Sequence, residues 1–490
     1  MQRHAGTPGA PKRLSKRTLL FYSLPNISIS VAQLPIGIYL NDLYTTALGV
    51  SLGLVGIAIF VSRLTDVVTD PIIGSLSDNW QTRFGRRKLW VFLGTPLMIA
   101  SLWFLFVPPD GADVWWLFVF ICLFYLANTM IDLPYRAWGA DLSTDYGERS
   151  HVTGWREAFG FIGNLVVFAV PIYMIFALGQ TKITDWTLGI ALVTAISLPV
   201  FVLVALIFVP EPPRERVQRG PVDWKGGLRL VWRNGAFRRL ALMGLIFTVA
   251  IGTTTATSLY FVDHVMGVRR IYPYILFGYF MASIIGIPIW AAIARRIGKH
   301  KATALAILWL SIWSAPIPFL DAGDFNIFLA LMLLKGSAIG ALLFLPVSMA
   351  ADVVDLDTLR SGRQRTGLYF AIWGMIVKLA AGIAGLMVGV VGAAGFNSAC
   401  ASPGKMSAAM AFKNPDASPE QLATLVREGL AAADCVNSDW SLLVLACFYS
   451  IIPAIFALTA LRSMWTYPIT QERQRRLRAA IARRNAAHPH

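Results

Sequence analysis

The segment SRLTDVVTDP lies inside a long apolar stretch and holds the residues with the clearest chemical potential. Arg63, Asp66, Thr69 and Asp70 are spaced by three and four residues, so they share one face of a helix. Two carboxylates one turn apart, with a hydroxyl between them, can supply oxygen ligands to a hard monovalent cation or can hold a proton. In a structural alternative, Asp66 only pairs with Arg63, and Asp70 caps a helix break at Pro71.

A second polar face lies in the segment NTMIDLPYRAWGADL, where Thr129, Asp132 and Arg136 share one side of a helix. Pro134 has no backbone N–H, and the carbonyl that loses its partner can line a cavity. The alternative is a self-contained ion pair between Asp132 and Arg136 at one-turn spacing. Such a pair satisfies both charges but leaves their position at membrane depth unexplained.

The other charges at membrane depth are basic or mixed. Lys378 has no acidic residue within one helical turn, so its partner must come from another helix. Arg156 and Glu157 lie near the start of a span, and Lys335 is expected to extend its amine to a membrane interface. If the two halves of the chain close together, the acids and Lys378 face one cavity. A cation that neutralises those acids would change the affinity for a second solute, which is the thermodynamic basis of symport.

Composition shows that membrane-spanning helices must position these residues. The chain has 490 residues, 56% apolar and 14% charged, whereas soluble domains carry about a quarter of their residues as charges. This excludes disordered, collagen-like, disulfide-scaffold and soluble classes. The net charge of +16 falls in short clusters between apolar runs, which favours a membrane protein over a nucleic-acid-binding protein. Stretches long enough to cross a bilayer, about 20 residues, predict twelve spans, near 19–40, 48–72, 89–108, 115–138, 152–178, 186–209, 239–262, 272–294, 302–320, 326–350, 366–394 and 440–462.

The basic clusters lie on one side if the spans alternate, which predicts that both termini are cytoplasmic. The first span lacks a small-residue cleavage site, so we expect a retained helix rather than a signal peptide. The predicted segments are a cytoplasmic N-terminal segment 1–18, a six-helix bundle 19–209, a cytoplasmic linker 210–238, a second six-helix bundle 239–463 that includes an extracytoplasmic loop 396–439, and a basic cytoplasmic tail 464–490.

Internal repetition supports two similar halves. The segments 74–88 and 291–301 both carry small residues followed by a basic, glycine-containing turn. The segments 139–154 and 350–367 share Ala-Asp, a later arginine and a closing Thr-Gly. Two matched pairs in the same order predict two related six-helix halves. Basic residues of the segments 74–88 and 291–301 are expected to contact Asp141 and Asp352 and to act as cytoplasmic latches. In the alternative, these basic residues only set the orientation of the chain in the membrane.

The loop 396–439 is the one long segment predicted outside the cytoplasm. Ser418, Pro419 and Gln421 have the spacing of a capped helix start, so a short surface helix is expected there. Cys400 and Cys435 lie in this loop on the oxidising side, and either a disulfide or two free thiols is open. The two remaining cysteines, inside spans, are expected to be packing residues.

The chain resembles a known family at several of these positions. The string RLTDVVTDPIIGSLSDNWQTRFGRRKLWVFLGTP at 63–96, the string DLPYRAWGADLSTDYGER at 132–149, Arg156 and Lys378 resemble the glycoside–pentoside–hexuronide:cation symporters. These are the melibiose-carrier branch of the major facilitator superfamily. The resemblance implies an all-α membrane protein with the major facilitator fold, in which twelve transmembrane helices form two pseudo-symmetric six-helix bundles.

The resemblance also implies roles for individual residues. Thr69 stands where melibiose carriers have asparagine, and Asp132 falls where the cation and sugar sites meet. The implied cation site comprises Asp66, Thr69, Asp70, Thr129 and Asp132, with Asp66 and Asp70 as the metal ligands if Na⁺ couples. The implied solute site comprises Asp132, Arg136, Arg156 and Lys378.

Two departures from the family pattern bear on the solute. The first helix lacks the carboxylate that melibiose carriers use to hold galactosyl hydroxyls, and Arg136 replaces a sugar-stacking tryptophan. An arginine beside the pocket favours an anionic group, through bidentate hydrogen bonds. We therefore expect cation-coupled symport, with Na⁺, Li⁺ or H⁺, of a sugar or glycoside, including an anionic one such as a hexuronide.

Other functions remain as alternatives. Animal sodium-dependent lysophospholipid symporters also resemble this chain, and polyspecific efflux is a third possibility. Zinc-ligand spacing, a nucleophile elbow and a phosphate-binding loop are all absent from the sequence, so we expect no enzyme. We expect no cofactor beyond the coupling cation, no nucleic acid, and a monomer that spans the inner (plasma) membrane many times.

Overall fold

The computed structural model describes residues 14–80, 82, 85–143, 146–211, 232–361, 366–469 and 472. Its helices are α1 (Lys16–Ser23), α2 (Pro25–Ile38), α3 (Leu40–Asp42), α4 (Leu52–Asn79), α5 (Lys88–Phe106), α6 (Val114–Asp141), α7 (Tyr146–Leu178), α8 (Ile183–Phe208), α9 (Gly235–His264), α10 (Tyr272–Ile297), α11 (Lys299–Ser314), α12 (Phe325–Ser361), α13 (Thr366–Ala393), α14 (Pro403–Lys413), α15 (Pro419–Ala431), α16 (Asp439–Tyr449) and α17 (Ile451–Trp465). A π-helical turn forms over Leu43–Ala47, and 3-10 turns form over Arg269–Ile271 and Ile317–Phe319. Within the described ranges there is no β-strand, only an isolated bridge between Ala401 and Val436.

Within the part of the chain that the structure describes, twelve spans are long and apolar enough to cross a bilayer, in agreement with the predicted number. They are α1 with α2, the ten helices α4 to α13, and α16 with α17. Large apolar side chains such as Phe176 and Ile207 remain exposed along these helices, as expected where lipid is the solvent. The predicted segments 1–18, 210–238 and 464–490 lie largely outside the described residues, as do parts of the repeated segments.

The chain divides into two compact units. The first unit falls within residues 1–36 and 65–218, and the second within 37–64 and 219–490. The candidate residues of α4 and α6 therefore belong to the first unit, and Lys378 belongs to the second.

In the first unit, two tyrosines join α1 to α6. The rings of Tyr22 and Tyr135 stack with their centroids 4.7 Å apart. The Tyr22 hydroxyl donates to the Tyr135 carbonyl at 3.0 Å, and the Tyr135 hydroxyl donates to the Tyr22 carbonyl. A Cβ atom on Gly139 would lie 2.0 Å from the Tyr22 hydroxyl oxygen, so only glycine fits there. These contacts fix the rotation of α6 and thereby the direction of the face that carries Asp132 and Arg136.

In each repeated half, a basic residue pairs with an acid of a helix. Arg86 contacts Asp141 at 2.8 Å in the first unit, and Lys299 contacts Asp352 at 2.7 Å in the second. The predicted meeting of these bases and acids is confirmed. Their role as latches stays a prediction.

In the second unit, the first part of α4 packs closely against α13. A Cβ atom on Gly56 would lie 2.6 Å from the carbonyl oxygen of Gly385 and 3.3 Å from the nitrogen of Gly389. The two backbones therefore approach as nearly as glycine allows, as in other small-residue contacts between membrane helices.

The second unit also buries two carboxylates against one guanidinium. Arg269 donates to Asp263 at 2.7 Å and forms an ion pair with Asp42. The side chains of Asp42 and Asp263 are 1% and 8% exposed. Thr46 donates a further hydrogen bond to Asp42 at 2.9 Å. Both carboxylates therefore depend on Arg269 for their opposite charge.

The loop 396–439 is cross-linked and partly helical. A disulfide joins Cys400 to Cys435, whose Cα atoms are 5.0 Å apart. The sequence left either a disulfide or two free thiols open, and the structure has the disulfide. The other two cysteines, Cys122 and Cys447, are free. The expected surface helix is confirmed as α15, and a reciprocal capping box between Ser418 and Gln421 begins it.

We predict that Arg269→Met lowers the thermal stability of the purified protein strongly. Removing one partner of a buried ion pair costs about 3–5 kcal/mol, because the remaining charge is left uncompensated. Arg270→Met is the matched control, since Arg270 is exposed and no described residue pairs with it. Thermal unfolding, followed by tryptophan fluorescence, should show a much lower melting temperature for Arg269→Met and an unchanged one for Arg270→Met. Equal melting temperatures in the two variants would contradict the prediction.

Candidate cation and solute site

The acidic face of α4 is partly buried and reaches α6. Asp66 is 1% exposed. The hydroxyl oxygen of Thr69 is buried and has no hydrogen-bond partner among the described residues. Asp70, one turn after Asp66, accepts a hydrogen bond from the Thr129 hydroxyl of α6 at 2.8 Å. The predicted residues of the two helices therefore meet at Asp70 and Thr129.

The proposed helix break at Pro71 is absent. α4 continues through Pro71 to Asn79, so the alternative in which Asp70 caps a helix end is wrong. Asp70 lies within the helix and its side chain contacts the neighbouring helix instead. Proline removes one internal hydrogen bond, and a spanning helix tolerates it because neighbouring helices, side-chain hydroxyls or a local adjustment of the helix can satisfy the backbone group that it frees.

The donor set of this face suits a small monovalent cation. It consists of oxygen atoms alone, from two carboxylates and two hydroxyls, and hard cations prefer oxygen ligands. A buried hydroxyl without a partner costs about 1–3 kcal/mol, and a bound cation would remove that cost at Thr69. Over the described ranges, no group of three or more His, Cys, Asp or Glu side chains could hold a metal ion.

The charged face of α6 carries an ion pair with spare donors. Arg136 donates from Nε to Asp132 at 2.7 Å, which is the one-turn pair considered from the sequence. The Arg136 side chain is 56% exposed, against 21% for Asp132. Neither terminal Nη group of Arg136 has a hydrogen-bond partner among the described residues. The outer edge of the guanidinium is therefore open to an anion.

Arg156 of α7 lies beside this pair. Its side chain is 8% exposed and forms an ion pair with Glu157. Asn26 donates to the Arg156 carbonyl at 2.8 Å, which joins α2 to α7. Arg156 is also close enough to Asp132 to interact with it electrostatically. The first unit thus gathers Asp132, Arg136 and Arg156, three of the four predicted solute residues.

Two polar residues of this region are missing from the sequence-based site. Gln33 of α2 is exposed, and its amide donates to the side-chain oxygen of Asn128 on α6. Asn128, Asp132 and Arg136 follow one another at spacings of four, so they share one face of α6. That spacing was a signal for Asn128. For Gln33 no signal exists in the sequence, because spacing does not show which faces of two helices meet.

Lys335 and Lys378, both in spans of the second unit, differ in their surroundings. Lys378 is half-buried within α13, and its meeting with the acids of the first unit stays a prediction. Lys335 is 2% exposed, so the expectation that it extends to an interface is wrong. Its amine lies 5.1 Å from the centre of the Tyr449 ring, and the ring face attracts the cation.

Relatives of this chain are transporters. The sodium-dependent lysophosphatidylcholine symporter 1-A of Danio rerio is 24% identical over 95% of this chain and 85% of its own length. The putative glycoside/cation symporter YagG of Escherichia coli (strain K12) is 27% identical over 71% of this chain and 76% of its own. Both are symporters by name, and neither name alone fixes the solute carried by this chain.

A solved structure of a transporter has a similar fold, and a family model matches most of the chain. The nucleoside transporter NupG is 13% identical, with a TM-score of 0.57 over 92% of this chain and 100% of that chain. At this identity the likeness shows the fold alone. Residues 21–471 match the family described as MFS/sugar transport protein. The resemblance to the melibiose-carrier branch is confirmed, and the chain belongs to the MFS/sugar transport protein family of multi-pass membrane transporters, which are not enzymes.

Proposed function

We propose that this transporter couples the movement of a glycoside, in particular an anionic one such as a hexuronide, to that of Na⁺ or another small cation. The observation that carries the proposal is the acidic face of α4, where the buried Asp66 lies one turn from Asp70 and the Thr69 hydroxyl oxygen is buried with no hydrogen-bond partner among the described residues. A buried carboxylate at membrane depth is costly unless it is paired or used. A coupling cation gives this face its function.

In the proposed sequence of events, the cation binds first. Asp66, Thr69, Asp70 and Thr129 supply its oxygen ligands, and Asp132 lies on the same helix as Thr129. Neutralising the two carboxylates removes their repulsion toward an anionic solute. Occupancy of the cation site thereby raises the affinity for the solute, and bound solute raises the affinity for the cation by the same factor.

The solute then binds at the charged face of α6. Arg136 offers two Nη groups with no partner in the described chain, and a planar guanidinium binds a carboxylate through two parallel hydrogen bonds. Arg156 adds a second positive charge, and Lys378 is proposed to approach the solute from the second unit. These groups favour an anionic glycoside over a neutral one.

Transport follows by alternating access. We propose that the two six-helix halves rock about a midplane cavity and expose it to each side in turn. The protein is proposed to act as a monomer in the cell's inner membrane, with both termini cytoplasmic, as the basic clusters predict.

A sodium-coupled lysophospholipid symporter is the second candidate. The Danio rerio relative aligns with 95% of this chain, and Arg136 could bind a phosphate as well as a carboxylate. Uptake into proteoliposomes, with and without an inward Na⁺ gradient, separates the candidates when uronides, neutral glycosides and lysophosphatidylcholine are compared. An exporter would not accumulate any of these solutes under that gradient.

We predict that Asp66→Asn abolishes the stimulation of uronide uptake by a Na⁺ gradient. The amide keeps the shape of the side chain but removes one of the two charges that hold the cation. Asp110→Asn is the control, because Asp110 is an exposed loop residue, and it should keep full stimulation. Undiminished stimulation in the Asp66 variant would remove this residue from the cation site.

We also predict that Arg136→Gln lowers uronide uptake by about 10–100-fold, since a hydrogen bond to a charged group contributes about 1.5–3 kcal/mol. Neutral glycoside uptake should stay near the wild-type rate. Uronide uptake by Arg136→Lys should lie between that of the wild type and that of Arg136→Gln, because lysine keeps the charge but lacks the planar pair of donors. If both solute classes lose uptake equally, Arg136 acts only through its pairing with Asp132.

A further inference from the structure

The exposed amide of Gln33 requires an explanation at membrane depth. Gln33 lies within α2, and its neighbours Val31, Ala32 and Ile36 are buried. A polar amide facing hydrocarbon would be costly, because lipid offers no hydrogen bonds. The Gln33 side chain instead meets Asn128 of α6. This pair therefore faces the polar side of α6, which Asp132 and Arg136 also line.

The amide pair retains most of its hydrogen-bonding capacity. One N–H of Gln33 is used within the pair, which leaves the Gln33 carbonyl, its second N–H and the two N–H groups of Asn128. None of these groups has a partner among the described residues. A mixture of donors and acceptors matches sugar hydroxyls, which both donate and accept. A carboxylate matches it poorly, because the Gln33 carbonyl oxygen would repel the anion.

The distance to Arg136 matches one sugar ring. Asn128, Asp132 and Arg136 are one turn apart along α6, and Arg136 bends back to contact Asp132. The guanidinium therefore lies roughly one turn from Asn128, about 5.4 Å along the helix axis. In a pyranose uronic acid, the carboxylate on C5 lies across the ring from the hydroxyl on C2, and the C3 hydroxyl is also separated from it. One ring can therefore contact both groups at once.

We propose that Gln33 and Asn128 form a hydroxyl-binding subsite that determines specificity for a uronic acid ring. The ring lies along α6 with its carboxylate at Arg136 and its hydroxyls at the amide pair. This assignment rests on the proposed function and adds the orientation of the solute to it. A site built for hydroxyl groups strongly rejects solutes that lack them, because its own polar groups are then left unpaired. The amide pair thereby disfavours a lysophospholipid acyl chain.

The test measures binding of phenyl β-D-glucuronide, and of analogues that each lack one ring hydroxyl, to the purified full-length protein by calorimetry in the presence of Na⁺. For the wild type, at least one deoxygenation should weaken binding by about tenfold, the effect of a lost hydrogen bond. In Gln33→Met and in Asn128→Leu, the glucuronide itself should bind about tenfold more weakly, and that same deoxygenation should have little further effect. Losses that share one contact are not additive.

Two further variants separate a direct contact from a folding defect. Arg136→Gln should weaken binding of the glucuronide yet keep the full effect of deoxygenation, because the carboxylate and the hydroxyls are bound separately. The double variant Gln33→Asn with Asn128→Gln preserves two facing amides, so it should bind the glucuronide more tightly than Gln33→Met or Asn128→Leu does. Both variants should elute as monodisperse protein on size exclusion.

The outcomes distinguish the inference from the function beneath it. If the wild type binds the glucuronide and the deoxygenation effect persists in both amide variants, the subsite is wrong while the proposed function stands. If the wild type binds lysophosphatidylcholine but no glycoside, the proposed function is wrong and the subsite falls with it.

Discussion

A carboxylate buried in a membrane-spanning helix persists only where another group compensates its charge. Asp66 is such a carboxylate, and Asp70 one turn later contacts Thr129 of the neighbouring helix. The nearby Thr69 hydroxyl lacks a partner among the described residues. In the proposed function, a small cation binds at this face. The proposed solute and the proposed role of α6 both depend on that one electrostatic requirement.

The helix α6 is the physical connection between the two sites. Thr129 contacts Asp70 on the face of α4 that is proposed to bind the cation, while Asp132 and Arg136 of the same helix carry the charges that are proposed to bind the solute. Contacts between Tyr22 and Tyr135 fix the rotation of this helix. In the proposed function, a cation at α4 therefore acts on the same helix that contacts the solute through Asp132 and Arg136. In the proposed mechanism, the change in field and the position of α6 both carry the coupling.

Much of this arrangement follows from the sequence, because apolar length sets the spans and helical spacing sets which residues share a face. The exceptions are contacts between helices. Gln33 meets Asn128 although no local pattern relates them, and Lys335 is buried because Tyr449, far along the chain, offers its ring. The expected helix break at Pro71 was wrong for a different reason. Proline often ends a helix in a soluble protein, but a membrane-spanning helix can continue through it, because neighbouring groups satisfy the backbone carbonyl that proline leaves without a donor.

The most direct test of the central claim is a calorimetric measurement of phenyl β-D-glucuronide affinity in Na⁺, in Li⁺ and in K⁺ at constant ionic strength and pH, repeated across pH. We expect a coupling cation to tighten solute binding, and the solute to tighten binding of that cation by the same factor. In Asp70→Asn this mutual effect should disappear. A solute affinity that is identical in all three salts and at every pH would contradict the account, because Asp66 and Asp70 of α4 would then have no influence on the solute.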